Sequence, residues 1–249
     1  MTAKTAVVTG AATGIGAACT TLLLNKGIDV LAIGRNPDHL ATLDASIGTG
    51  RLITAVANVR YADQLAAAVA RIDRVDYVVA NAGVVHRTPL TAEKIDAVFD
   101  QVVDINLTGV WRTFRAVRSK LQNKSACVAV SSGLGKLGRE GYSAYAASKH
   151  GVLGIVKCLA RELAPKGIRV NAVCPGWVDT DMAKRDMGVT VTETGTTLLA
   201  VRKEAENGIP LGRFVTAQET AKLIGWLLSD EASAVTGQAY NISCGEFTV

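Results

Sequence analysis

Thr5-Ala6-Val7-Val8-Thr9-Gly10-Ala11-Ala12-Thr13-Gly14-Ile15-Gly16 opens the chain and decides its fold. Thr5–Val8 has strand character and runs directly into a glycine-rich turn. A helical pattern follows from about Gly14 to Lys26, and Gly27 is a suitable C-terminal cap. Each glycine has its own task in a strand–turn–helix unit that can hold a dinucleotide, a plain tight turn being the alternative. Gly10 permits a tight turn, Gly14 lets the backbone approach a pyrophosphate, and Gly16 lets helix and strand pack closely. Free amides at the helix start favour negative charge there.

Outward from this unit, apolar runs of strand length alternate with longer helical patterns. Strands are expected at Asp29–Ile33, Leu52–Val56, Val75–Ala80, Ala126–Val130, Ile168–Val173 and Ala239–Ile242. Helices are expected from Pro37-Asp38, over Ala62–Ile72, over Ala92–Leu121 with a break near Asn106, over Ser143–Leu163 and over Thr216–Leu228. Val75–Ala80 is almost wholly apolar, as a strand buried on both faces must be. The pattern predicts an α/β fold of Rossmann type: a doubly wound parallel sheet of about seven strands, in a single domain over residues 1–249. Ligands then bind beyond the carboxyl ends of the strands.

Composition excludes several classes. With 249 residues, 49% hydrophobic and 20% charged, the chain suits a folded globular domain. The net charge of +5 is scattered. Arg112, Arg115, Arg118 and Lys120 come nearest to a basic stripe and read as a solvated helix face, so no nucleic-acid partner is expected. The start, Met1-Thr2-Ala3-Lys4, leaves no room for a signal peptide, and no apolar run reaches the length of a membrane span. Cys19, Cys127, Cys158, Cys174 and Cys244 form no CxxC pair and read as small hydrophobes in a reducing cytoplasm. His39, His86 and His150 lack metal-ligand spacing, so no metal is expected.

The chemistry lies further on. Tyr145 and Lys149 stand at i, i+4 and share one face of a helix. A free tyrosine has a pKa near 10, and a nearby ammonium favours the phenolate. Tyr145 can therefore trade a proton with a carbonyl or an alcohol. Ser131-Ser132-Gly133 ends the fifth strand, Asn81-Ala82-Gly83 the fourth, Asn58-Val59 the third and Pro175-Gly176 the sixth, with Val178 and Thr180 just beyond.

The T-G-x-x-x-G-I-G spacing, N-A-G, N-L-T-G at Asn106, the serine thirteen residues before the tyrosine, Y-x-x-x-K and P-G-x-x-x-T occur in this order. Together they resemble the short-chain dehydrogenase/reductase family over nearly the whole chain, from Thr5 to about Ile242. The resemblance implies Ser132 on the substrate oxygen, Asn106 holding a water beside Lys149, and Lys149 on the nicotinamide ribose. It implies cofactor contacts from Gly10, Thr13, Gly14, Ile15, Gly16, Asn58, Val59, Asn81, Ala82, Gly83, Tyr145, Lys149, Pro175, Gly176, Val178 and Thr180. Asn58 stands where relatives often have aspartate, and its carbonyl still accepts a hydrogen bond. Gly34 stands where NAD-preferring relatives carry aspartate, and Arg35 beside it can meet a 2′-phosphate, so NADP(H) is the expected cofactor. Cys244-Gly245-Glu246 departs from the usual D-G-G.

Further expectations follow. A small carbonyl or secondary-alcohol substrate would be walled by Leu134–Tyr142, by His86-Arg87 and by a partly helical lid at about 179–212. Arg139 and Arg185 read as solvated charges, with contact to an acidic substrate as the alternative. The segment 132–182 looks most like acyl-carrier-protein reductases and polyketide ketoreductases, which suggests a thioester on a carrier protein. A dehydrogenase for a sugar, steroid or other alcohol is the alternative, and a non-catalytic NADP-binding protein a further one. The long helices suggest a homotetramer.

Overall fold

The structure, a computed structural model, describes residues 3–93 and 95–249. Met1 and Thr2, and Lys94 inside the expected fourth helix, lie outside the described residues. The strands are β1 (Thr5–Thr9), β2 (Asp29–Gly34), β3 (Leu52–Val56), β4 (Val75–Ala80), β5 (Leu121–Val130), β6 (Arg169–Pro175) and β7 (Ala239–Ile242). They form one seven-stranded sheet in the order β3-β2-β1-β4-β5-β6-β7. Every neighbouring pair is parallel. The order reverses direction at β1, between β2 and β4, and a crevice opens there at the carboxyl ends.

Side chains on a strand alternate between faces, so one sheet organises two apolar layers. Val7, Leu31, Ile33, Val78 and Cys127 point to one side with Phe114, Val152 and Val156. Ala6, Val8, Val30, Ala32, Val79 and Val128 point to the other, with Leu23, Ile224 and Leu227. The first layer is covered by α3 (Ala62–Val69), α4 (Asp96–Val103), α5 (Gly109–Val117) and α6 (Ser143–Leu163). The second is covered by α1 (Gly14–Asn25) and α9 (Ala217–Leu228), while the short α2 (Pro37–Ala41) follows β2. Thr216 and Glu219 form a capping box that fixes where α9 begins.

The expected long helix over Ala92–Leu121 is shorter at both ends. It runs from Asp96 to Val117, and between α4 and α5 its ladder opens into a π-helical turn at Asp104–Thr108. The expected break at Asn106 is this turn, so the rod changes pitch without interruption. Leu121 belongs to β5, five residues before the expected strand start, and pairs with Val75 ahead of a register shift at Val75/Tyr77. The polar stretch Gln122–Ser125 hid that extension because it carries no apolar alternation. Helix α3 ends at Val69 rather than Ile72, and β6 runs on to Pro175. The stretch after β6 contains α7 (Asp181–Thr194) and α8 (Leu198–Asn207).

Candidate active site

The turn after β1 is held open by backbone shape. Gly10 and Gly14 adopt φ of 63° and 52°, a region that side chains disfavour. A Cβ on Gly16 would lie 1.9 Å from the Gly10 carbonyl oxygen, so that position admits only glycine. The Asn81 amide donates to the Thr9 and Gly10 carbonyls at 3.1 Å each, and Thr9 Oγ1 accepts from the Asn81 and Ala82 amides at 3.1 and 3.3 Å. The end of β4 is thereby fastened to the glycine turn.

A groove of about 820 Å³ runs along this turn. Gly10, Thr13, Gly14 and Ile15 form one wall, Ala82 and Gly83 another. Arg35, Asn58 and Val59 line its far end, and Thr180 closes the near end. Arg35 is exposed there and carries no hydrogen bond among the described residues. Asn58 Oδ1 accepts from the Arg60 amide at 3.1 Å and keeps a second lone pair. Gly16 sits buried beneath the groove rather than on its wall. The absence of any Cβ at the turn, together with the free amides of α1, fits a dinucleotide pyrophosphate.

The groove opens into a cavity of about 660 Å³ lined by Ser132, Tyr145, Lys149, Pro175, Gly176 and Val178. Tyr145 and Ser132 are hydrogen-bonded, and Lys149 Nζ lies 5.7 Å from the Tyr145 ring centre. Lys149 is buried and donates to the Val130 carbonyl at 2.8 Å, while Ser131 Oγ donates to the Lys149 carbonyl at 2.9 Å. These contacts bind α6 to the end of β5. Burial pushes the Tyr145 phenol up to about 12, with the Ser132 bond opposing, and pushes Lys149 down to about 8. Desolvation, the largest influence on Tyr145, thus runs against the lowering expected from Lys149.

Asn106 lies behind the cavity wall and is fully buried. Its side chain accepts from the Val84 amide at 2.8 Å, donates to the Val84 carbonyl at 2.9 Å and reaches Ser148 Oγ at 3.3 Å. The π-helical turn aims it there. A Cβ on Gly83 would meet Asn106 Oδ1 at 3.2 Å and Lys149 Nζ at 3.5 Å, so these two side chains are neighbours across that glycine.

Leu134, Leu137, Arg139 and Tyr142 line the cavity, as do Trp177, Met182 and Met187. Trp177 stacks on Phe214 at 5.4 Å, and the Arg139 guanidinium stands 5.3 and 5.5 Å from the Tyr142 and Trp177 rings. Arg87 faces both spaces, whereas His86 and Arg185 face only the groove. Arg185 is thus away from the Tyr145 cavity, and Arg139 is in it. Sequence reading missed Asp186, whose carboxylate accepts from Tyr142 Oη at 2.8 Å. The signal was present: Asp186 lies between Ala183 and Met187 on the buried stripe of α7, where a charge is out of place. It also left open the C-terminal segment, which folds back over the cavity. Glu246 accepts from the Trp177 amide at 3.1 Å, and a Cβ on Gly133 would collide with the Phe247 ring at 2.3 Å. Burial raises the Glu246 carboxyl. Among the described residues no cluster of three metal-ligating side chains occurs, and no helix is long and apolar enough to cross a membrane.

Comparison with known proteins agrees with this geometry. A family model described as enoyl-(acyl carrier protein) reductase matches residues 10–246. A 3-oxoacyl-[acyl-carrier-protein] reductase from Thermotoga maritima is 37% identical, over 97% of this chain and 97% of that protein. The crystal structure of an actinorhodin polyketide ketoreductase variant with NADPH superposes with a TM-score of 0.90 at 34% identity, covering 98% of this chain and 97% of that one. The aldohexose dehydrogenase of Thermoplasma acidophilum superposes at 0.86 with 26% identity, covering 98% and 94%. Likeness that spans the sheet, the glycine turn and the tyrosine helix alike leaves one conclusion: the chain belongs to the short-chain dehydrogenase/reductase family and is an oxidoreductase that works with a nicotinamide cofactor.

Proposed function

We propose that this protein is an NADP(H)-dependent ketoreductase in which Tyr145 is the general acid. The observation that carries the reading is the half-buried phenol of Tyr145, standing with Ser132 and Lys149 on the wall of a cavity that adjoins the glycine-turn groove. A neutral phenol near neutral pH is a proton donor, which suits reduction of a carbonyl better than oxidation of an alcohol.

The residues that would hold the cofactor are Gly10, Thr13, Gly14 and Ile15 at the pyrophosphate, with Gly16 beneath them letting helix and strand pack, and Asn58 and Val59 at the adenine. Arg35 would meet the 2′-phosphate. Asn81, Ala82 and Gly83 would border the adenosine, Tyr145 and Lys149 the nicotinamide ribose, and Pro175, Gly176, Val178 and Thr180 the carboxamide. When bound, the nicotinamide supplies a hydride. Ser132 holds and polarises the substrate carbonyl oxygen in reach of Tyr145. The Tyr145 O–H bond breaks as the new O–H bond forms on the substrate. Lys149 and Asn106, neighbours across Gly83, lie on the route by which the phenolate regains a proton from solvent.

A β-keto thioester on an acyl carrier protein is the substrate class we favour, supported by the likeness to the Thermotoga 3-oxoacyl-[acyl-carrier-protein] reductase. The net charge of +5 suits an acidic carrier. A sugar or other secondary alcohol is the second reading, supported by the likeness to an aldohexose dehydrogenase. The chain forms one domain in this reading, works in the cytoplasm, and residues 179–212 act as its lid. A homotetramer through α4–α5 and α6 is supported by Phe99 and Trp111, large apolar side chains exposed on that helix pair.

NADPH oxidation across β-keto thioesters, cyclic ketones, aryl ketones and sugars, with Tyr145→Phe as control, tests the proposal. Turnover that disappears in the control is expected. Turnover retained in Tyr145→Phe would overturn it.

A further inference from the structure

Two adjacent residues of the C-terminal segment touch both loops that carry the candidate site. Beyond β7 the chain turns back at Cys244 and Gly245, with φ of 52° and 91°, and the Glu246 amide donates to the Ser243 carbonyl at 3.0 Å. Glu246 accepts from the Trp177 amide at 3.1 Å, on the loop after β6. The Phe247 ring lies on Gly133, in the loop after β5, where a Cβ would stand 2.6 Å from the ring Cζ. Gly133 follows Ser132 directly, and Ser132, Gly133 and Phe247 all line the Tyr145 cavity. The segment is fastened on either side of the ring. Before it, the Leu211 amide donates to the Cys244 carbonyl at 3.1 Å, and Gly245 lies close against Pro210. After it, Lys136 Nζ and Asn241 Nδ2 both donate to the Val249 main-chain oxygen, at 3.0 and 2.7 Å.

We propose that Phe247 is a specificity-determining residue: its ring walls the cavity beside Ser132 and limits the bulk of the apolar substituent that a ketone can carry there. This role rests on the reading of the Tyr145 cavity as the substrate site. The ring offers only carbon, so the group it faces is a neutral alkyl or aryl one. A carboxylate or hydroxyl against it would lose water and gain no hydrogen bond. Gly133 has no side chain to fill the room that a missing ring would leave. Cys244 is held on one side and Val249 on the other, so the backbone between them cannot sink into that room. The vacated volume therefore joins the cavity. Glycine at 133 and an aromatic ring at 247 are two halves of one fit, and each sets the size of the other.

The test compares Phe247→Ala and Phe247→Trp with the parent protein on ethyl acetoacetate and ethyl benzoylacetate, which differ by methyl against phenyl on the ketone carbon. NADPH oxidation gives kcat/KM for each, and binding of the matching 3-hydroxy esters to the NADPH-loaded protein is followed by nucleotide fluorescence. Phe247→Ala is expected to raise the phenyl-to-methyl ratio of kcat/KM about tenfold and Phe247→Trp to lower it, with the hydroxy-ester affinities moving the same way. The ratio is the readout because a general loosening of the fold lowers both substrates together. A ratio unchanged or lowered in Phe247→Ala would overturn the proposal. Packing is measured without turnover. Gly133→Ala is expected to lower the melting temperature by roughly 5 °C in the parent and by about half that or less in Phe247→Ala. Equal losses in the two backgrounds would also overturn it. Turnover retained in Tyr145→Phe would instead reject the acid assignment and leave the ratio to judge Phe247, which separates the two failures.

Discussion

Arg202 of α8 sets two guanidinium nitrogens against the carboxylate of Asp179, at 3.1 Å each, while its head lies 4.9 Å from the Phe214 ring. Phe214 stacks in turn on Trp177. The segment after β6 thus has two masters: Thr180 packs at 3.1 Å from where a Cβ on Gly14 would begin, and Asp179 beside it is tied to α8. The wall of the glycine-turn groove and helix α8 are joined through adjacent residues.

Arg202→Leu should loosen α8 without touching the reacting atoms. The pair is partly exposed, so it is worth about 1 kcal/mol at most. Roughly a fivefold rise in KM with kcat little changed is expected from steady-state kinetics, together with faster proteolysis within residues 198–207. A fall in kcat with KM unchanged would contradict this arrangement.

Gly16→Ala should be far more damaging. Its methyl group would meet the Gly10 carbonyl at 1.9 Å and the Asn81 amide at 2.7 Å, and backbone cannot yield as a side-chain tip can. Destabilisation of about 3 kcal/mol in urea unfolding is expected, with NADPH binding weakened at least tenfold by fluorescence titration. Near-normal binding would mean that the turn does not hold the pyrophosphate.

Arg35→Ala separates the cofactors. Charge-assisted bonds to a 2′-phosphate contribute about 1.5–3 kcal/mol, so NADPH should weaken by roughly tenfold or more while NADH changes little. Equal losses in parallel titrations of the two would remove Arg35 from cofactor selection.

Lys149 gives a pH-dependent stability. Burial holds it near 8 against an ordinary 10.5. Below about 8 folded and unfolded chains both carry the proton, and the full cost of the buried charge is present. Between about 8 and 10.5 the unfolded chain binds more protons, so this cost fades as pH rises. Lys149→Met loses the bond to the Val130 carbonyl but also the buried charge, and should be about 2 kcal/mol more stable near neutral pH. Denaturant melts should show that advantage shrinking across this window, while reductase activity is lost.

Much of the molecule was legible in the residues. The three glycines of the first turn require a strand before them and a helix after them, and the apolar strand runs announce a sheet covered on both faces. Ser132, Tyr145 and Lys149 were readable because their chemistry depends on residue type and local spacing, and the fold brings them to one cavity. Local signals failed where polarity masked structure, as in the first half of β5. They failed again at Tyr145, whose phenol desolvation pushes up. Spacing along a helix carries no measure of desolvation.

Sequence by itself determined the strand–helix alternation, the dinucleotide turn and the identity of the reactive side chains, since each is set by propensities and contacts within a few residues. Tertiary structure alone decided which distant groups surround them. Tyr142 and Asp186 are 44 residues apart, and Gly133 and Phe247 meet only because the C-terminal segment folds back. Such pairs arise from the closing of long loops around a common sheet, and the electrostatics of the cavity follow from that closure.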